Sequence, residues 1–161
     1  MRGTKIIVSA EPKGVHVEGI IATGQTPKPG TIMQLDVSVA LNNGRHTWKI
    51  YDADADSGRP KGPYIVLIED YLRGKTYDDA YAAGDRAFGF IPYAGDEFNL
   101  RLLDIAGTGD DHTKGEMLIV DDTTGKLIAT TGTPETEVAV LLETVTDPVA
   151  DTLAWCQWTG Y

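Results

Sequence analysis

Residues 97–102, Glu-Phe-Asn-Leu-Arg-Leu, set Phe98, Leu100 and Leu102 against Glu97, Asn99 and Arg101 without an exception. A helix would spread those side chains around its circumference, whereas a strand sends them to two faces. Turn residues bracket the region: Ala83-Gly84-Asp85 and Ala94-Gly95-Asp96 stand on either side of an aromatic stretch. The same grammar recurs at 115–130, where Met117–Val120 runs into Asp121-Asp122-Thr123-Thr124-Gly125 and Lys126–Ala129 leads away. Gly125 suits the left-handed closing position of a loop built on a type I turn.

Further strands follow from the same reading. Residues 31–41 place Met33, Leu35, Val37 and Val39 opposite Gln34, Asp36 and Ser38, which predicts one strand with one buried face. Residues 46–52, 64–70 and 151–161 read as strands, and the valines and threonines of 137–145 favour strand over helix. Residues 77–84 offer one turn of helix at most, and no long amphipathic helix is visible. The total is about nine short strands with turn signals roughly every 8–14 residues, the pattern of an all-β sandwich or barrel. Before Thr31 the text differs: a short apolar strand at 5–9 precedes a Gly- and Pro-rich stretch ending in Gln25-Thr26-Pro27-Lys28-Pro29-Gly30. Each proline fixes φ and biases its predecessor away from helix, so residues 1–30 are expected to be an extended arm and 31–161 a single β-domain.

A chain of 161 residues fits one domain with an independent core. Its net charge of −10 repels phosphate backbones and anionic lipid, and no basic patch offsets it, so neither nucleic acid nor a membrane surface is an expected partner. The N-terminal apolar patch ends at Glu11 and Pro12, too short for a signal peptide, and no run could span a bilayer; folding in a cytosol is expected. Cys156 stands alone between Trp155 and Gln157 and reads as a small buried side chain.

No stretch of the sequence carries a complete catalytic or metal-binding motif. Alternating carboxylates at 52–58 resemble the start of a calcium loop, but Ser57 occupies the position that demands glycine and Pro63 the one that demands a bidentate Glu. Asp110, Asp111 and His112 cluster within 107–115, between glycines that mark a loop, and His16 and His46 lack partners at ligand spacing. There is no nucleophile elbow and no dinucleotide fingerprint. The expectation is therefore no catalytic, cofactor-binding or metal-binding residue. The alternative is a metal-dependent ligand-binding or hydrolytic domain using Asp54 and Asp110 in the acidic loops 52–58 and 107–112, or a β-rich fibre or receptor-binding module.

The order of motifs carries a resemblance. Pro29-Gly30-Thr31 leads into a strand; an apolar strand ends in Glu69-Asp70; Gly84-Asp85 and Gly95-Asp96 punctuate paired strands; Lys114-Gly115-Glu116 opens the hairpin closed by Gly125-Lys126-Leu127. Over about residues 29–160 this looks like the tailed-phage head decoration (cement) proteins. That resemblance implies a compact β-tulip-like domain with an N-terminal arm, a homotrimer, and attachment to the major capsid protein on the capsid exterior after assembly in a host cytoplasm. It places shell contact at Thr26, Pro27, Lys28, Pro29 and Gly30, reached by β-augmentation of the arm, and packing near Phe88 and Phe90. The acidic insertion at 42–62 has no counterpart in the pattern.

Overall fold

A computed structural model describes residues 5–9, 11–52, 63–103, 111–130, 137–146, 148 and 151–160. The protein is all-β: no α-helix occurs among the described residues, and the strands fall into two sheets. Strands β1 (Val15–Ile21), β2 (Ile32–Leu35), β3 (Thr47–Ile50), β4 (Ile65–Leu67) and β5 (Arg86–Ile91) close into a barrel in the order β1-β3-β2-β4-β5. Strands β6 (Glu97–Arg101), β7 (Met117–Val120), β8 (Leu127–Ala129), β9 (Ala139–Leu141) and β10 (Leu153–Trp158) form the second sheet, ordered β6-β10-β9-β7-β8. All pairings are antiparallel except β1 with β3, where Ile20 faces Thr47 and Ile21 faces Trp48.

A small barrel has room for few side chains, and Trp48 takes much of that room. Its indole is buried among Ile21, Met33, Ile65, Leu67, Tyr81 and Ala87. Space comes from two glycines on neighbouring strands. A Cβ on Gly19 would lie 2.2 Å from the indole, and one on Gly89 would lie 2.5 Å from Ile65 and 2.9 Å from the ring. Burying an aromatic of this size is worth about 4–6 kcal/mol of transfer free energy before ordering entropy is subtracted.

The barrel's outward residues on one side form the second core. Ile32, Val66 and Phe90 pack against Phe98, Leu100, Leu118, Leu127 and Leu141 of the other sheet. Phe90 meets Phe98 at 5.7 Å between centroids, and Tyr64 joins Tyr51 at 5.5 Å and Trp158 at 5.4 Å. Strands β2 and β4 are thus covered on both faces, and Gln34 of β2 is buried with them, its Nε2 donating to Asp52 O at 3.1 Å. The strand expected over 31–41 stops at Leu35. Met33 and Leu35 do face the barrel interior, but Val37 and Val39 are 66% and 48% exposed on a loop.

The arm expected over residues 1–30 is corrected. Residues Val15–Ile21 are a full barrel strand, paired with β5 from Val15–Ile91 to Ile20–Arg86. Residues 5–9 run antiparallel along β6: Ile7 pairs with Phe98, the Val8 N–H donates to Glu97 O at 2.9 Å, and the Asn99 N–H donates to Ile6 O at 2.8 Å. The sheet's far edge is also occupied. Leu102, just past β6, pairs in parallel with Leu127 of β8, and the Leu103 N–H reaches Leu127 O at 2.9 Å.

One turn design recurs. At 22–25, 28–31, 82–85, 93–96 and 113–116, the fourth residue's N–H donates to the first residue's carbonyl, and the third residue is a glycine at φ between +80° and +93°. That is the type II geometry, whose third position excludes an ordinary side chain. In two of these turns the fourth residue is Asp, whose carboxylate accepts the first residue's N–H as well: Asp85 from Ala82 at 2.9 Å, Asp96 from Tyr93 at 2.9 Å. Asp96 also accepts from Lys13 at 2.7 Å and Gly14 at 3.0 Å, fixing the entry to β1. The 115–130 hairpin forms as read, with Gly125 at φ +66° and its carbonyl taking the Ile32 N–H at 2.8 Å.

Gly19→Ala should lower stability by about 1–3 kcal/mol in urea unfolding, as overpacking of a filled core does. Combined with Trp48→Leu, its additional cost should fall well below that value, because the clashing ring is gone.

Candidate interaction surface

At the barrel end where β1 and β4 finish, two connections meet: 22–31, and the long 68–85 segment between β4 and β5. The second is built to hold its shape. Asp70, only 1% exposed, accepts the Arg73 N–H at 3.2 Å and closes a single 3-10 turn over Tyr71–Arg73, which ends at Gly74 in the left-handed conformation. Arg73 Nε lies 3.4 Å from the other oxygen of Asp70. Glu69, also buried, accepts the Ile6 N–H at 2.8 Å and ties the segment to the N-terminal strand. The Lys75 ammonium reaches Asp85 at 3.2 Å and sits 5.0 Å from the Tyr81 ring, while the Tyr81 hydroxyl donates to Ile68 O at 2.8 Å.

This scaffold carries large apolar side chains outward. Leu72 is 87% exposed and Tyr71 is 60% exposed, adjacent on the capped turn. Desolvation at the hydroxyl end of Tyr71, with the neighbouring Glu69 carboxylate, pushes the phenol up to about 12. The ring thus presents a neutral amphipathic face across the physiological range.

Residues 26–30, the segment expected to touch a shell, lie at this same end but mostly underneath. Pro27, Pro29 and Gly30 are buried. Pro27 O accepts the Tyr81 N–H at 2.9 Å, Pro29 O accepts Arg101 Nε at 2.8 Å, and the Gly30 N–H donates to Leu67 O at 2.8 Å. Lys28 points to Asp151 at 3.8 Å, a carboxylate that Lys126 holds at 2.7 Å. Only Thr26 is exposed. Surface at this end passes instead to Tyr71 and Leu72, whose only sequence signal is two large apolar residues inside an otherwise polar 69–76 stretch. Phe88 and Phe90 divide: Phe90 is fully buried with His16 edge-on at 4.9 Å, and Phe88 is half-buried beneath the Arg86 guanidinium at 5.1 Å.

Asp54 and Asp110 lie outside the described residues; Asp52 pairs with Lys49 at 3.0 Å. His112 is buried, its Nδ1 3.0 Å from Glu116 Oε2, and its backbone exchanges two hydrogen bonds with Val145 at 2.9 Å, a structural tie between the β7 and β9 ends. No cluster of three or more His, Cys, Asp or Glu that could hold a metal occurs among the described residues. Cys156 is buried, its Sγ 3.4 Å from Ala154 O, and desolvation pushes the thiol up, which removes it as a nucleophile at neutral pH.

The Ala82 N–H holds the Asp85 carboxyl below its ordinary value of 3.8, against the opposing effect of burial and with help from Lys75. A depressed folded-state pKa means that this stabilisation is complete above 3.8 and is lost as pH falls through the lower folded value. Amide exchange in 75–85 should therefore accelerate on acidification below that value in the wild type, and Asp85→Asn should show fast exchange already at neutral pH. No protein-family model matches the chain, and no curated protein matches its sequence.

Proposed function

We propose that this chain is a decoration protein of a tailed-phage head, binding the outside of the expanded shell as a homotrimer and stabilising it. The observation that carries the reading is Leu72 beside Tyr71, projected almost fully into solvent from a turn whose backbone is capped at both ends. Leu72 is the most exposed large hydrophobic among the described residues, and it stands beside a tyrosine, a residue type enriched among the anchors of partner interfaces. The motif order that resembles the cement family supports the same reading, as does the all-β body.

Attachment by a free arm is not part of the proposal. With residues 5–9 laid on β6 and 15–21 inside the barrel, side-chain contacts from the 68–85 end replace backbone augmentation. Three copies acting together turn a modest contact into durable attachment, and binding only the expanded state stabilises it by mass action.

Leu72→Asp should leave the fold and its melting temperature unchanged while weakening binding to expanded, undecorated capsids by about 2 kcal/mol per site, about thirtyfold before multivalency amplifies it. Capsid pull-down with sedimentation measures this; wild-type protein that never co-sediments with the shell would refute the assignment.

A further inference from the structure

The outer face of the second sheet carries a different kind of surface. Side chains alternate along β10: Ala154, Cys156 and Trp158 are buried in the shared core, and Leu153, Trp155 and Gln157 point the other way. Strand pairing fixes what stands beside them. Trp155 faces Asn99 of β6, and Gln157 faces Glu97 on one side and Val140 of β9 on the other. The Leu142 N–H donates to Trp155 O at 2.8 Å, which sets Leu142 alongside. Residues 5–9 and the Pro29 turn lie over Asn99 and Arg101 on this face. That cover stops short of Trp155, which is 39% exposed, while Leu153, Val140 and Leu142 around it are half-buried.

Two carboxylates are fastened to this tryptophan. Glu97 Oε2 accepts the indole N–H at 3.0 Å, and Glu143 Oε1 accepts the Trp155 backbone N–H at 2.9 Å. Each keeps its second oxygen, and among the described residues neither carboxylate has a cation paired with it. Glu18, Asp52, Asp85 and Asp151, by contrast, each hold a lysine or an arginine. With both of its donors engaged, Trp155 offers a ligand only its π face, and the carboxylates offer only lone pairs. Such a site favours a ligand that is cationic, flat and rich in N–H groups. A guanidinium is all three: it stacks on an indole and binds carboxylates through paired N–H groups, where an ammonium makes a point contact.

We infer that the Trp155 face is a docking site for an arginine side chain of a partner protein. Its guanidinium stacks on the indole and hydrogen-bonds to the Glu97 carboxylate, with Glu143 adding negative charge, and its alkyl stem lies against the apolar residues of β9 and β10. The inference stands apart from the decoration reading, whose contact residues lie on the 68–85 segment.

A capped hexa-arginine peptide titrated into the isotope-labelled full chain, followed by NMR at about 0.15 M salt, tests this. Trp48 and Trp158 are 1% and 2% exposed, so the indole N–H resonance that disappears in Trp155→Leu reports on this surface alone. That resonance should shift saturably with the peptide. Glu97→Gln with Glu143→Gln should weaken binding about tenfold, and Trp155→Leu, read from the β10 backbone amides, by a similar factor. Both glutamines keep an oxygen for the Trp155 donors, so the sheet keeps its fold. A chain of net charge −10 attracts any polycation, which calls for a control of equal charge change. Asp79→Asn with Asp122→Asn, at exposed positions elsewhere, should alter binding by no more than about twofold. An indole resonance that hexa-arginine leaves in place, a double glutamine variant that binds as tightly as wild type, or an equal loss in the Asp79 and Asp122 variant would each overturn the inference. Maltohexaose moving the resonance where the peptide does not would overturn it too.

Discussion

The Arg101 guanidinium, 1% exposed on β6, is the point at which otherwise separate parts of the chain are fastened. Its Nε donates to Pro29 O at 2.8 Å, its Nη1 to Asp151 O at 2.9 Å and its Nη2 to Tyr77 O at 2.5 Å, while its own backbone N–H reaches Gly30 O at 3.1 Å. One side chain thereby joins the turn into β2, the segment between β4 and β5, and the entry to β10. Burial lowers the guanidinium's pKa, but Asp151 and Asp78 oppose that, and arginine stays charged at any physiological pH. Carbonyl dipoles from three segments take the place of water around it. No other cation has the planar fork needed to serve them together.

That junction explains how a barrel and a curled sheet behave as one body. The two share a core through Ile32, Val66 and Phe90, yet apolar packing is non-directional and does not fix a rotation between layers. Hydrogen bonds from Arg101, and the one that the Ile32 N–H donates to the Gly125 carbonyl, supply direction. Gly125 is placed so that a Cβ would come 2.4 Å from Ile32 O, so hairpin and barrel approach at a distance only glycine permits.

Much of this was legible in period and turn chemistry. The 97–102 alternation is a strand, the 115–130 hairpin has its expected turn, and the tilt toward strand over 137–145 holds at Ala139–Leu141. Alternation did not reveal what covers the polar face of β6: Asn99 and Arg101 are buried, because residues 5–9 and the Pro29 turn lie over them. Strand β1 was missed although Val15 and Val17 alternate with His16 and Glu18, because Gly19 and the surrounding turn residues read as irregular chain. Gly19 is there for Trp48, a long-range reason no local pattern carries. The 26–30 segment misled for the same reason: a Pro-Gly turn looks identical whether solvent or another segment lies over it.

The proposed docking also depends on what ordering costs. A flexible loop that docks must freeze backbone and side chains, about 1–2 kcal/mol per residue for the backbone alone. Here that freezing happens during folding. The Tyr71–Arg73 turn is capped by Asp70 and Gly74, and the 42–45 turn is locked by paired hydrogen bonds. Because β2 and β4 are antiparallel, these two turns leave opposite ends of the barrel. A five-stranded closed sheet filled by an indole resists bending far better than an open hairpin would, so the barrel holds its two ends at a fixed separation.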